Sequence, residues 1–399
     1  MSRNQTPAAD RLHIGFFGRR NVGKSSLVNA VTGQALSVVS DVKGTTTDPV
    51  SKAMELLPLG PVLILDTPGI DDEGALGALR IQKTREVLRK VDVAVLVTEA
   101  GHPETDAERE LIALFQEREI PYLVAVNKTD LTAAEVAPPA IAVSAATGDG
   151  VESLKEALGR LAAERGENRR ILGDLLVPQD VVVLVTPIDA AAPKGRLILP
   201  QQQTLRDILD SHAIAVVTQT DELAGTLSAL GRPPKMVVTD SQAFGAVSQI
   251  VPSTIPLTSF SILMARYKGN LSAAVAGAAA LDKLQNGDTV LISEGCTHHR
   301  QCGDIGTQKL PAWIQKHTGK TLQFAFTSGG EFPSDLSPYA LVVHCGGCML
   351  NEREMRFRAK TAADAAIPMT NYGIAIAHCH GILRRSLSPF AELAVLLDN

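Results

Sequence analysis

Four of the five cysteines in this 399-residue chain fall between positions 296 and 348. They are grouped as Cys296-Thr297-His298 and His344-Cys345-Gly346-Gly347-Cys348, with Cys302 between the groups. Three thiolates with imidazoles beside them suit a soft or borderline metal centre, because sulfur and imidazole nitrogen match zinc or the iron of a cluster better than they match magnesium or calcium. On ligand type and spacing alone, a Cys3His zinc site and a cluster held by Cys296, Cys345 and Cys348 both fit. Gly346 and Gly347 let the loop turn the Cys345 and Cys348 sulfurs toward one centre. A fourth position has several candidates: His298, His344, Cys302, Asp304 or a ligand from solution. His298 and His344 can equally act as hydrogen-bonding neighbours of the centre. His299 reads as a pocket residue, and Cys379, in His378-Cys379-His380 at the end of an apolar run, reads as a buried, inert thiol.

A second set of residues suits phosphate chemistry. Gly18-Arg19-Arg20-Asn21-Val22-Gly23-Lys24-Ser25, with Ser26 next, lies between the apolar run 12–17 and the helically spaced Leu27, Val28, Ala30 and Val31. In such a strand–loop–helix, backbone amides wrap a β-phosphate, Lys24 reaches the β/γ-phosphates and the Ser25 hydroxyl holds magnesium. Downstream, the run 62–65 ends in Asp66-Thr67-Pro68-Gly69, where Asp66 can hold the magnesium shell and the Gly69 amide can meet a γ-phosphate. Another run ends in Asn127-Lys128-Thr129-Asp130. The Asp130 carboxylate can accept from both the ring N–H and the exocyclic amine of guanine, a donor pair adenine lacks, so the wrong base leaves a carboxylate unpaired. Ser144-Ala145-Ala146 then stands where a backbone amide faces the guanine carbonyl. Between these motifs, Lys43-Gly44-Thr45-Thr46-Thr47-Asp48 reads as a switch loop, with Thr46, and Thr45 next, completing the magnesium shell when the γ-phosphate is bound. Lys24, Thr46 and Gly69 are the expected catalytic groups. Ile70 stands where many such proteins place a water-orienting glutamine, and an apolar side chain cannot orient water, so catalytic help must come from elsewhere.

The elements that position these groups follow from the apolar pattern. Strand-like runs alternate with helical stretches, which predicts an α/β protein: a P-loop GTPase domain with a parallel-type sheet, then two smaller α/β domains. The expected boundaries are residues 10–166, 175–262 and 266–399, with the charged run 164–170 as a linker. Strands are expected at 181–185, 213–217, 236–239, 290–292, 322–326, 341–343 and 374–377, and a helix from residue 204. Gln201-Gln202-Gln203 and Lys194 read as loop and cap chemistry. Cys296 and Cys345 each follow an apolar run directly, and in an open parallel sheet ligands gather beyond the carboxyl ends of the strands, so the fold is expected to bring them together. With 43 acidic against 38 basic residues, no broad nucleic-acid surface is expected. The polar start and the lack of a roughly twenty-residue apolar span predict a soluble cytoplasmic protein with no membrane partner.

Residues 12 to about 150 resemble the TrmE/Era class of GTPases in Gly18-x-x-Asn21-x-Gly23-Lys24-Ser25, Gly44-Thr45-Thr46, Asp66-Thr67-Pro68-Gly69 and Asn127-Lys128-x-Asp130. That resemblance implies a potassium ion beside the phosphates with Asn21 as a ligand. Together with Cys296-Thr297-His298 and His344-Cys345-Gly346-Gly347-Cys348, the whole chain resembles the FeFe-hydrogenase maturation GTPases of the HydF type. This implies GTP/GDP, Mg2+ and K+ at the first domain and a homodimer through the second. It further implies a 4Fe-4S cluster on Cys296, Cys345 and Cys348, and a transiently held diiron precursor received from two radical-SAM maturases and delivered to the apo FeFe-hydrogenase. The contrasting expectation, from other members of the GTPase class, is an RNA-modification or ribosome-assembly GTPase with a structural zinc tail.

Overall fold

The computed structural model describes residues 8–34, 50–57, 59–67, 69, 84–165, 170–187, 197–295 and 304–398. Thr45 and Thr46, Ile70, Lys194, Cys296, His298, His299 and Cys302 lie outside the described residues, as does most of the expected linker. The chain divides into two compact units, Met1–Asn168 and Arg169–Asn399.

The first unit is a six-stranded sheet. Strands β1 (Leu12–Phe17), β2 (Val50–Leu56), β3 (Gly60–Asp66), β4 (Val93–Glu99), β5 (Tyr122–Asn127) and β6 (Ala140–Ala142) are ordered β2-β3-β1-β4-β5-β6. Only β2 runs antiparallel to its neighbour. Helices α1 (Lys24–Thr32), α2 (Asp106–Glu117) and α3 (Val151–Arg165) cover it. The core of β1 is apolar on both faces: Ile14 and Phe16 pack with Leu27 and Val28 of α1, while Phe17 packs with Leu111 and Phe115 of α2. Such two-sided burial explains why parallel strands read as continuous apolar runs.

The second unit holds two four-stranded, all-parallel sheets. The first is β7 (Val181–Val185), β8 (Ile214–Thr218), β9 (Met236–Thr239) and β10 (Leu257–Ser259), in the order β10-β9-β7-β8. With it go α4 (Leu199–Asp210), α5 (Leu223–Ala229), α6 (Phe244–Ile250) and α7 (Phe260–Tyr267). After α8 (Leu271–Ala279), the second sheet comprises β11 (Thr289–Ser293), β12 (Gln323–Thr327), β13 (Leu341–His344) and β14 (Met369–Asn371), ordered β12-β11-β13-β14. Its helices are α9 (Leu310–Thr318), α10 (Glu352–Asp364), α11 (Tyr372–Cys379) and α12 (Leu383–Ser386). One apolar core crosses from sheet to sheet, with Val182 and Leu184 of β7 in the same cluster as Leu263, Val275 and Ile374.

Two expectations of local structure need correction. Residues 374–377, read as a strand, lie inside helix α11, which starts because the Asn371 side chain caps it by accepting from the Ile374 amide at 2.8 Å. Cys379 therefore ends a helix. Helix α4 begins at Leu199, earlier than residue 204, because Pro200 fits the first turn and the Gln201 side chain accepts from the Ile198 amide at 3.1 Å. Gln201 also donates to Asp240 at 2.8 Å, in keeping with cap chemistry. Among the described residues, no helix is long and apolar enough to cross a membrane.

Candidate nucleotide and thiolate sites

In the first unit the motif residues converge beyond the carboxyl ends of β1, β3, β5 and β6. Lys24 opens α1, is 8% exposed, and its Nζ donates to the carbonyls of Gly18 at 3.0 Å and Arg19 at 2.6 Å, so the ammonium is held inside the loop. Gly23 has φ 89° and a Cβ there would lie 2.3 Å from Asn127 Nδ2, so this position accepts no side chain. Asn21 and Lys128 both sit in the left-handed region, at φ 62° and 66°. For residues other than glycine that conformation costs energy and is kept where surrounding contacts impose it, commonly at functional sites. Asn127, 2% exposed, joins three loops: its Nδ2 donates to Val22 O at 2.9 Å and its Oδ1 accepts from Ala145 N at 3.0 Å. Ser144 donates to Asp130 Oδ1 at 2.6 Å, aiming the carboxylate expected to read the base. Lys128 donates to Glu99 at 2.8 Å, and that bond holds the Glu99 carboxyl below the usual carboxylate range.

Ser25 Oγ donates to Asp66 Oδ2 at 2.8 Å, while Asp66 Oδ1 is buried with no hydrogen-bond partner. A buried carboxylate oxygen without a partner beside a hydroxyl is a hard-oxygen donor set, which fits Mg2+. Thr67 Oγ1 donates to Phe16 O at 2.7 Å and pins this strand end against β1. A side chain at Gly69 would strike the Arg20 amide at 2.8 Å, so the loop after β3 lies directly on the phosphate loop. One anchor has no motif of its own. Arg19 of that loop pairs at 2.9 Å with Glu108, which is 1% exposed and closes the capping box of α2.

In the second unit, parallel pairing sets Ser293 opposite His344, and the Cys345 amide donates to Ser293 O at 2.9 Å. The ends of β11 and β13 are thereby joined. Cys345 Sγ accepts from the amides of Gly295 at 3.0 Å and Gly347 at 3.4 Å. Gly347 is left-handed at φ 61°, and a Cβ there would meet Met355 Sδ at 2.6 Å. Burial pushes the Cys345 thiol up from its ordinary value, against the pull of those two amides. Gly295 is the covalent neighbour of Cys296. Cys345 and Cys348 are both half-buried and free of disulfide bonds.

The candidates for the fourth position fare differently. His344 is fully buried; its Nδ1 donates to Cys345 O at 2.7 Å and its Nε2 accepts from Arg358 Nη1 at 2.9 Å. An arginine only donates, so this tautomer is fixed and both ring nitrogens are engaged within the fold. Burial, with the Arg358 charge adding to it, lowers the His344 pKa to about 3, which keeps the ring neutral. His344 is thus a hydrogen-bonding neighbour of the thiolate loop. Asp304 caps the helical turn that follows it, its Oδ2 accepting from Thr307 N at 2.8 Å and Thr307 Oγ1 at 2.9 Å. The Cys379 thiol is half-buried and pushed up to about 12 by burial and then by the charge of Asp282.

Three groups near the thiolate loop carry no sequence motif. Arg358, wholly buried, donates to Glu354 at 2.9 Å and to Gly329 O at 2.8 Å, and lies 5.1 Å over the Phe332 ring. Glu354 and Arg358 stand four residues apart on α10, which in a sequence reads as an ordinary exposed helix pair. Glu294, 5% exposed, accepts from the Tyr372 hydroxyl at 3.3 Å just before Gly295. Lys268, at the carboxyl end of α7, donates from Nζ to the carbonyls of Gly347 and Leu350.

The domains that carry these sheets have known counterparts. The hydrogen maturase F dimerization domain matches residues 171–269, and the hydrogen maturase F tetramerization domain matches residues 272–389. The chain belongs to the hydrogen maturase F family. Its first unit carries a GTPase domain, since residues 13–128 match the 50S ribosome-binding GTPase family. This maturase-family chain is 33% identical to the GTPase Der of Wolinella succinogenes across 187 residues, 42% of the chain and 39% of the relative. It is 37% identical to the tRNA modification GTPase MnmE of a Synechococcus strain across 158 residues, 38% of the chain and 34% of the relative. The chain thus spans less than two fifths of the length of these curated relatives. A solved structure of Aquifex aeolicus Era bound to GDP.AlF4- covers 79% of this chain and 93% of its own, at 16% identity and a TM-score of 0.34. As a family member the chain pairs a GTPase domain with domains named for oligomer formation.

Proposed function

We propose that this chain is a GTP-hydrolysing scaffold for the diiron cofactor of FeFe-hydrogenase. It would hold a 4Fe-4S cluster on Cys296, Cys345 and Cys348 and pass a diiron precursor to the apo-hydrogenase. The observation that carries this reading is the Cys345 sulfur, which accepts two backbone amides at the joined ends of β11 and β13, beside the residue that precedes Cys296. Amide hydrogen bonds favour sulfur carrying negative charge, which is the form that binds iron. When bound, the cluster supplies an iron with an exchangeable position at which cargo can dock. The protein's own part is to hold the sulfurs, and to keep His344 neutral and fixed beneath the loop through Arg358.

In the nucleotide half, Gly18, Val22, Gly23, Lys24 and Ser26 bind phosphate. Ser25, Thr46 and Asp66 would hold Mg2+, and Asn21 would hold K+. Asn127, Lys128, Asp130, Ser144, Ala145 and Ala146 bind the base. Lys24, Thr46 and the Gly69 amide stabilise charge that develops on the γ-phosphate during attack by water. Ile70 has no polar atom to orient that water, and a potassium ion held by Asn21 would add a fixed positive charge beside the phosphates. Two radical-SAM maturases supply the precursor. A homodimer forms through residues 175–262, where edge strand β8 exposes Ile214 and Val217, and unpaired strand edges favour pairing with another chain.

The test is anaerobic reconstitution with iron and sulfide. A brown protein with about one cluster per chain is expected, lost in Cys345→Ser. A colourless protein that instead binds one zinc tightly would overturn the reading. Hydrolysis is expected to run faster in potassium than in sodium buffer, and equal rates would remove Asn21 from its role.

A further inference from the structure

At the other end of the carboxy-terminal sheet, three side chains outside the thiolate loop converge. Asp282 lies in the helical turn Ala280–Lys283 that precedes β11, His317 near the end of α9 just before β12, and His378 near the end of α11. His317 Nε2 lies 2.7 Å from Asp282 Oδ1 and His378 Nε2 lies 2.9 Å from Asp282 Oδ2, so one carboxylate bridges two imidazoles from different helices. The imidazole rings are 5.2 Å apart, centroid to centroid. One ligand atom from each residue lies within 4.8 Å of the others. Since β11 and β12 are parallel, the segments leading into them share one end of the sheet, whereas Cys345 follows the carboxyl end of β13. The two places are therefore at opposite ends of the strands.

We propose that Asp282, His317 and His378 form a binding site for a borderline divalent transition ion, separate from the thiolate loop. Two imidazoles and a carboxylate are a common ligand set for zinc and its neighbours in the first transition row, and a poor one for magnesium or calcium. Zinc bonds of about 2.0–2.1 Å set neighbouring ligand atoms roughly 3.3 Å apart, between the hydrogen-bond distances of 2.7 and 2.9 Å and the 4.8 Å limit within which one donor atom from each residue lies, so modest side-chain adjustment suffices. Each imidazole would bind through Nε2 as the neutral ring, its remaining proton on Nδ1. The side chain of Asp282 is 56% exposed, against 24% for His317 and 13% for His378. The site is thus walled by the two helices and open on the carboxylate side, where water or a donor from a partner completes the shell. The Trp313 ring meets His380 edge-on at 5.5 Å and seats the end of α11 against α9, fixing the two histidine-bearing helices relative to each other.

Cobalt(II), titrated into the full chain without iron, is the direct test, because thiolate and imidazole–carboxylate sites give different spectra. Intense sulfur-to-metal absorption marks the cysteines; weak visible bands alone mark nitrogen and oxygen donors. The expected result is a component of the second kind that survives in the chain carrying both Cys345→Ser and Cys348→Ser. It should disappear in Asp282→Asn and in His378→Ala. Zinc, followed by competition with a coloured chelator, should bind more weakly in each of those two variants by more than about a hundredfold, since losing a mere hydrogen-bonding neighbour of a ligand already costs ten- to hundredfold. Asp282→Asn keeps a polar group at an exposed position, so folding is preserved while the ligand is weakened. The proposal is overturned if cobalt gives only sulfur-type absorption in the parent chain, or if the second component persists in both substituted chains. Failure of the cluster assignment would leave this component untouched, because no cysteine contributes to it.

Discussion

The nucleotide loops and the thiolate loop obey the same topological rule and use opposite chemistry. Both lie beyond the carboxyl ends of parallel strands, where backbone amides are not consumed by the sheet. At the first, the amides and Lys24 frame a place for phosphate, and hard oxygens from Ser25 and Asp66 stand beside them. At the second, the amides of Gly295 and Gly347 face a sulfur. Their supports also differ. Asn127 joins the nucleotide loops through neutral hydrogen bonds, whereas the thiolate loop rests on a buried ion pair, Arg358 with Glu354, reached through His344. The nucleotide side also has charged anchors, Arg19 with Glu108 and Lys128 with Glu99, but they flank its loops, whereas the ion pair on the sulfur side lies at the base of a single chain of contacts.

That contrast can be broken at several points. Lys24→Ala should slow GTP hydrolysis by about 10²–10³-fold, the cost of removing one donor to developing charge, and leave iron content unchanged. Loss of iron in that variant would show the two sites to be inseparable. Arg358→Met strands the Glu354 carboxylate in the interior and should destabilise the second unit by about 3–5 kcal/mol, read from denaturant unfolding, while nucleotide affinity stays as it was. His344 sharpens the comparison through pH. Its folded pKa is lowered to about 3 from 6.5, so below 6.5 the unfolded chain takes up a proton that the folded chain refuses. Its contribution to stability is complete above 6.5 and is lost as pH falls toward 3, at up to about 1.4 kcal/mol per pH unit. His344→Gln, whose amide oxygen can still accept from Arg358, should flatten that part of the stability profile; an unchanged slope would mean that the ring is not buried and neutral. The smallest effect is expected from Ser144→Ala, which removes the hydrogen bond aiming Asp130 and should weaken guanine-nucleotide binding by about 1 kcal/mol, measurable with a fluorescent analogue.

How much of this was legible in the sequence depends on whether the determinants are neighbours along the chain. The phosphate loop, Asp66 and Asn127–Asp130 are short motifs at strand ends, and the structure gathers them at the carboxyl end of the first sheet. The segment 374–377 was misread because four alternating apolar residues suit a strand and a buried helix equally, and the deciding group, the capping side chain of Asn371, stands outside the run. Arg358 and Glu354 look like a solvated pair at helical spacing; only the packing of α10 against β13 and β14 turns them inward. Asp282, His317 and His378 are brought together by three separate elements, so nothing in their spacing announced them. The same holds for Glu108 beneath Arg19, since a glutamate in the first turn of a helix is ordinarily just a cap.

Lys268 closes α7, the last helix of the sheet assigned to dimerization, and its ammonium grips the carbonyls of Gly347 and Leu350 in the turn that carries Cys345 and Cys348. The domain matched to dimerization and the sulfur loop are therefore linked through one side chain. A tilt of α7 as subunits meet would tug the Gly347 peptide, and the amide of that same residue faces the Cys345 sulfur.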